Sequence, residues 1–169
     1  MSAPHAPSSG KPSVPHPPAP LVALPEEAGQ PLAGRIAVKG SAEGLESFDV
    51  LARGPATEKA MQMALSSSGA VRALVLIAAM PPPDSALVER FAALKIPTLV
   101  LFGTRDAEVP AEAGRRWRAL LPGCQIVWLY DAGRDLPADR PAAFAELVLD
   151  FLSEPAAFLV NRRSGALIP

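Results

Sequence analysis

The second half of the chain alternates between continuous apolar runs and segments whose apolar residues recur at helical spacing. In the segment that begins at Thr57, for example, Ala60, Met61 and Ala64 fall on one face of a helix. The apolar runs predict four strands, at Glu46–Ala52, Val71–Ala78, Pro97–Phe102 and Cys124–Tyr130. The segments after these runs predict helices at Thr57–Leu65, from a cap at Asp84 or Ser85 to Leu94, at Ala111–Leu121 and at Pro141–Leu152.

This alternation is typical of βαβ units, in which successive strands run parallel. The strands are apolar throughout, which indicates that helices cover both faces of the sheet. Two weaker patterns, Leu21–Leu24 and Arg35–Val38, each predict a short additional strand. We therefore expect an α/β fold with a mostly parallel sheet of about four to six strands flanked by helices.

Composition divides the chain into four parts. Residues 1–20 contain seven prolines, which lack the amide hydrogen that helices and sheets need, so we expect a disordered or polyproline II tail. Residues 21–45 form a transitional segment with one or two short strands, and residues 46–153 form the α/β domain. Residues 154–169 are expected to be a C-terminal tail, whose apolar stretch 156–160 could dock on the same body or on a partner.

The bulk composition excludes several classes of protein. The net charge of -1 argues against a nucleic-acid partner, and the single cysteine, Cys124, excludes an intramolecular disulfide. We find no run of 18 apolar residues, no apolar core of a signal peptide and no phosphate-binding glycine motif. His5 and His16 both lie in the proline-rich segment. These features predict a soluble, cytoplasmic protein without a membrane association, a cofactor or a metal.

Several motifs resemble those of the α/β-hydrolase fold family. The run VRALVLIA at 71–78 is similar to its sixth strand, and KIPTLVLFGTRD at 95–106 is similar to its seventh strand with the loop that carries the catalytic acid. The run YDAGRD at 130–135 resembles the end of the eighth strand and the loop of the catalytic histidine, and 141–152 resembles the closing helix. The resemblance covers residues 46–153 and implies part of an α/β-hydrolase fold.

The resemblance also implies where a catalytic triad would lie. In this family a serine on a strand-to-helix elbow is followed along the chain by an acid and then by a histidine. Here Asp106 occupies the acid position, Arg134 replaces the histidine and Gly54 stands at the nucleophile. Arginine side chains stay protonated and cannot accept a serine proton, and glycine has no oxygen for attack. The sequence therefore predicts a degenerate triad and a pseudoenzyme.

The matching segment is shorter than a complete member of the family. Only 45 residues precede Glu46, and a five-residue stretch, 79–83, stands where the family inserts a lid. We therefore expect a truncated domain in which the strand at 46–52 has a free edge unless residues 21–40 pair with it. A free edge recruits a protein partner or a second copy of the chain.

These observations favour a non-catalytic binding or interaction subunit in which Asp106 and Arg134 are the candidate binding residues. Arg134 could pair with Asp106 or bind an anion, and Asp106 could simply cap the following helix. The alternative is an esterase-like hydrolase that uses a different site around Asp106 and Arg134. Two further hypotheses remain, a decayed fragment and a proline-rich tail that is read by polyproline-binding domains.

Overall fold

The computed structural model describes residues 19–67, 69–110 and 112–161. Most of the predicted tail, residues 1–18, lies outside the described residues. Residues 19 and 20, which we assigned to that tail, instead belong to the folded body. Ala19 is buried, and the amide of Asp49 donates a hydrogen bond to the carbonyl oxygen of Pro20 at 2.9 Å. The backbone at residues 19 and 20 therefore lies beside the strand that contains Asp49.

One sheet of six parallel strands forms the centre of the molecule, in the order β2-β1-β3-β4-β5-β6. Its strands are mostly buried along their whole length, because their apolar side chains pack on both faces. This architecture confirms the predicted α/β fold. The strands are β1 Leu21–Leu24, β2 Val38–Lys39, β3 Phe48–Arg53, β4 Val71–Ile77, β5 Thr98–Gly103 and β6 Gln125–Leu129.

The edge of β3 is paired rather than free. β1 runs parallel to β3 with Leu21 opposite Asp49 and Leu24 opposite Ala52, and β2 pairs with the other side of β1. The free edge that we considered at residues 46–52 is therefore absent, because residues 21–39 supply two strands. Among the described residues, the outer strands of the sheet are β2 and β6.

Helices cover both faces of this sheet. On one face α1 (Thr57–Ser66) contacts α2 (Ser85–Ala93), and α2 contacts α3 (Glu112–Leu120). Elsewhere α5 (Pro141–Ser153) contacts a 3₁₀ helix at Glu26–Leu32. Asp84 caps α2 by accepting hydrogen bonds from the amides of Ala86 and Leu87. None of the described helices has both the length and the apolar character needed to cross a membrane. The helices are α1 Thr57–Ser66, α2 Ser85–Ala93, α3 Glu112–Leu120, α4 Leu136–Asp139, α5 Pro141–Ser153 and α6 Pro155–Asn161.

The segment after residue 153 starts as a helix, which corrects its assignment as a tail over that stretch. Phe158 of α6 is buried, and its ring meets that of Phe151 of α5 edge to face with 5.3 Å between the centroids. Such aromatic pairs stabilise the contact beyond the apolar area that they bury. Phe158 therefore docks on the body of the same chain.

The order of the strands places a crevice at one point of the sheet. From β1 the chain moves outward to β2 and then crosses to β3 on the opposite side of β1. In open parallel sheets, ligands bind outside the carboxyl ends of the strands where the direction of winding reverses. This point lies between the ends of β1 and β3, next to Leu24 and Arg53.

Candidate functional site

The chain turns sharply from β3 into α1 at Gly54. Gly54 has a φ of +52°, a conformation that favours glycine, and it begins a short 3₁₀ turn that leads into the helix. The hydroxyl of Thr57 fastens this turn by donating a hydrogen bond to the carbonyl oxygen of Gly54 at 2.8 Å. A Cβ built on Gly54 meets no atom within 4 Å. The elbow therefore has the strand-turn-helix form of a nucleophile elbow, with open space where a side chain would stand.

The residue after Gly54 is Pro55, which has no amide hydrogen. In α/β-hydrolases the amide of the residue after the nucleophile donates to the oxyanion, together with an amide from a loop after an earlier strand. The loop after β1 reaches the same place through Pro25, a second residue without an amide hydrogen. The sequence signals Pro55 directly after the proposed nucleophile position, whereas the placement of Pro25 beside it depends on the fold.

Asp106 lies in the loop after β5, where its carboxylate organises the local backbone. Its Oδ1 accepts hydrogen bonds from the amides of Glu108 at 2.9 Å and Val109 at 3.2 Å. Its Oδ2 is buried and has no hydrogen-bond partner among the described residues. Asp106 thus closes a turn of its own loop, whereas α3 starts only at Glu112 and is not capped by it.

Arg134 lies in the loop after β6 and forms an ion pair with Glu108. The sequence suggested a pairing with Asp106 instead, but among the described residues Oδ1 of Asp106 accepts from backbone amides and its Oδ2 has no partner. The side chains of Arg134 and Glu108 are 45% and 71% exposed. Ion pairs this exposed contribute at most about 1 kcal/mol, so a competing anion can displace Glu108 at little cost.

The backbone of the loop that carries Arg134 is pressed against the end of β5. A Cβ on Gly103 would lie 2.2 Å from the carbonyl oxygen of Gly133 and 2.3 Å from that of Ala132, which only glycine allows. The amide of Arg105 also donates to the carbonyl oxygen of Ala132 at 2.8 Å, and the carboxylate of Asp139 accepts from the amide of Gly133 at 2.7 Å. Backbone packing therefore sets the position of Arg134.

These loops enclose a cleft at the carboxyl ends of the strands. The cleft has one part of about 440 Å³ and another of about 370 Å³, and both parts are lined by Gly54, Pro55 and Arg134. The larger part is also lined by Thr57, Glu58, Ala78, Met80, Pro81, Pro82, Pro83, Glu108 and Val109. The smaller part is also lined by Pro25, Arg53 and Asp135. Residue 54 thus stands where the two parts join.

The smaller part holds a second ion pair, with 2.7 Å between Arg53 Nη1 and Asp135 Oδ1. The structure therefore brings Gly54 and Arg134 to one cleft, whereas Asp106 is not among the residues that line it. Within the described ranges, no group of three histidine, cysteine, aspartate or glutamate side chains is placed to hold a metal ion. The chemistry that this cleft offers is charge pairing next to an apolar wall.

Cys124 directly precedes the amino end of β6, whereas the cleft lies at the carboxyl ends of the strands. It is buried, and this burial raises the pKa of its thiol to about 11. Only the thiolate is nucleophilic, so this cysteine acts as a small buried apolar residue.

Similar sequences are named as hydrolases. A stretch of 64 residues is 33% identical to the uncharacterized hydrolase YugF of Bacillus subtilis (strain 168), and one of 66 residues is 35% identical to the 2-hydroxy-6-oxononadienedioate/2-hydroxy-6-oxononatrienedioate hydrolase of Escherichia coli (strain K12 / DH10B). These stretches span 38% and 39% of this chain and 23% of each relative, so the match covers about a quarter of their length. No family model matches the chain.

Solved structures of similar shape are also hydrolases. The meta-cleavage product hydrolase CumD of Pseudomonas fluorescens IP01 superposes with a TM-score of 0.63 at 12% identity, over 80% of this chain and 91% of that one. The carboxylesterase CesB of Bacillus subtilis gives 0.60 at 15% identity, over 79% and 83%. A CIB-like hydrolase of Thermoplasma acidophilum gives 0.57 at 17%, over 66% and 53%. At these identities the likeness concerns the fold.

Proposed function

We propose that this chain, which has the fold of the α/β-hydrolases, is a non-catalytic binding protein whose ligand occupies the cleft around Gly54. The observation that carries this proposal is the Gly54–Pro55 elbow. It has the shape that presents a nucleophile in this fold, yet it offers neither a side-chain oxygen nor an amide hydrogen after it. Both the attacking group and one oxyanion donor are missing from the same turn.

The other positions of the triad agree with this proposal. Arg134 stands at the place of the base and is engaged with Glu108. A protonated guanidinium donates hydrogen bonds and accepts none, so it supports binding of an anion and opposes general-base catalysis. The crevice at the ends of β1 and β3 remains, and it is the usual ligand site of such sheets.

A hydrolase with a different site is the second candidate, and one observation favours it. The buried Oδ2 of Asp106 has no hydrogen-bond partner among the described residues, and a carboxylate oxygen can orient a water or attack. Because Asp106 does not line the cleft, its loop would have to move for Oδ2 to reach a substrate. Any such enzyme would depend on Asp106.

A generic ester assay decides between the two candidates. We expect no hydrolysis of p-nitrophenyl acetate or butyrate above the level of a heat-denatured sample, for the wild type and equally for Asp106→Ala. The matched control is Asp135→Ala, which removes a carboxylate at the rim of the same cleft. Turnover by the wild type that persists in Asp135→Ala and disappears in Asp106→Ala would establish the hydrolase and refute the binding protein.

A further inference from the structure

Two guanidinium groups flank Gly54 at the crevice between the ends of β1 and β3. Arg53 is the last residue of β3, and Arg134 comes from the loop after β6, yet both line the smaller part of the cleft. Within the described residues, the guanidinium of Arg53 makes a polar contact only with the carboxylate of Asp135, and that of Arg134 only with the carboxylate of Glu108. A guanidinium has five N–H donors, so most of these donors are available to a ligand.

The distribution of charge along the cleft limits what a ligand can carry. Arg134 lines both parts, whereas Arg53 lines only the smaller part, where Asp135 pairs with it. Glu108 and Glu58 line the larger part, and only Glu108 is paired with Arg134. An anionic group is therefore favoured between the two arginines and disfavoured beside Glu58, because like charges repel at short range. A ligand with a second anionic group in the larger part would place it near Glu58.

Apart from Thr57, whose hydroxyl donates to the carbonyl oxygen of Gly54, the remaining wall of the larger part is apolar. It includes Ala78, Val109, the half-exposed Met80 and three consecutive prolines at 81–83. Prolines form a rigid surface without amide hydrogens, and such a surface favours an uncharged apolar group. The absence of a side chain at Gly54 leaves open space between this wall and the two arginines.

We propose that the cleft binds a small monocarboxylate with a short apolar chain. The carboxylate lies between Arg53 and Arg134, in the space that the nucleophile would fill, and the chain lies along Pro81, Pro82 and Pro83. Guanidinium and carboxylate match in bidentate geometry, which makes this contact stronger than a neutral hydrogen bond. This inference rests on the non-catalytic function proposed above and specifies its ligand class.

Butyrate is a suitable probe, and its binding can be measured by isothermal titration or by chemical shifts of the protein. We expect saturable binding of butyrate by the wild type, and weaker binding of succinate, butanol and butylamine. Arg134→Met keeps the unbranched apolar stem of the side chain but removes the guanidinium, and it should weaken butyrate binding at least about tenfold. Arg134→Lys should weaken it less, because the charge remains without the bidentate geometry.

Two further variants separate a specific site from a general effect. Gly54→Asn tolerates a positive φ but fills the open space, so it should also weaken butyrate binding. Arg115→Met removes an exposed arginine on α3 that pairs with Glu112, and it should leave binding unchanged. Equal binding of butyrate and butanol, or full binding by a folded Arg134→Met, would overturn the inference. The ester assay is independent of these titrations, so a protein that binds no butyrate and hydrolyses no ester contradicts only the ligand class.

Discussion

Asp49 is an acidic side chain enclosed by the sheet, with 1% of its surface exposed. The nearest opposite charge is Arg72 on β4, whose Nε lies 3.4 Å from Oδ1 of Asp49 and whose Nη2 donates to the carbonyl oxygen of Leu152. Burial outweighs the attraction of Arg72 and raises the pKa of Asp49 from 3.8 to about 6. The ionised carboxylate is therefore a destabilising element of the fold at neutral pH.

This burial makes the stability of the protein depend on pH in a defined direction. Between roughly pH 4 and pH 7 the unfolded chain loses the proton of Asp49 before the folded protein does, so the free energy of unfolding falls as the pH rises. The shift of about two pKa units corresponds to about 3 kcal/mol. We expect the stability of the wild type relative to Asp49→Asn to fall by that amount across this range, measured by urea unfolding. A constant difference would show that Asp49 does not titrate in the folded state.

The sequence did not predict that Glu108 is the ion-pair partner of Arg134. The resemblance to α/β-hydrolase motifs predicts that Gly54, Asp106 and Arg134 stand at the positions of a catalytic triad, because the strands before them are strongly apolar. Two carboxylates, Asp106 and Glu108, stand two residues apart in one loop. The sequence does not say which one turns towards Arg134, since that depends on backbone amides that only the folded loop brings to Asp106.

Helix α3 is anchored to the sheet by one indole group. Trp117 is fully buried, and its Nε1 donates a hydrogen bond to the carbonyl oxygen of Ala79 at 2.7 Å. Ala79 follows β4 and is itself buried, so this carbonyl has little access to water. The bond thus holds α3 beside the start of the segment that supplies the proline wall of the cleft.

We expect Trp117→Phe to lower the free energy of unfolding by about 2–4 kcal/mol, because it leaves a buried carbonyl unpaired and creates a small void. Trp128→Phe is the matched control. Trp128 is half-buried against Phe102, with 4.8 Å between the ring centroids, and its indole has no hydrogen bond within the described part of the chain. Trp128→Phe should lower the free energy of unfolding by less than Trp117→Phe does. Equal decreases for the two variants in denaturant unfolding would contradict the anchoring role of Trp117.

Elements were predictable where hydrophobic patterning was long and unambiguous. Val71–Ile77 and Thr98–Gly103 are continuous apolar runs covered on both faces, and the sequence placed both strands within a residue or two. β2 contains only Val38 and Lys39, and two residues are too few to produce a recognisable pattern. The strand predicted at Arg35–Val38 therefore overlaps β2 only at Val38. α6 was missed because its stability comes from the contact of Phe158 with α5 and not from a periodic face of its own.

The described part of the molecule has one apolar core that includes residues of β1, β3, β4, β5 and β6, and Val38 of β2 packs against it. Residues of β1, such as Leu21, belong to the same cluster as Phe144 and Phe151 of α5. A continuous core of this kind favours unfolding in one cooperative step, because no part can separate without exposing the rest. The short strands β1 and β2 should therefore melt together with the longer ones.

We expect tryptophan fluorescence and far-ultraviolet circular dichroism to give the same unfolding midpoint in guanidinium chloride. Trp117 and Trp128 report on α3 and β6, whereas circular dichroism reports on the helices and strands of the entire chain. A circular dichroism transition that precedes the fluorescence change would show that the part built around β1 unfolds separately.

The close approach of the backbone at Ala132 and Gly133 to Gly103 affects which substitutions the cleft can accept. Because the loop of Arg134 is held by contacts of its backbone with β5, substitutions at residue 134 alter the chemistry of the cleft without displacing the loop. Gly54 faces open space and is equally replaceable by residues that tolerate its φ. A combinatorial library randomised at these two positions should retain a high proportion of folded members while diversifying ligand preference.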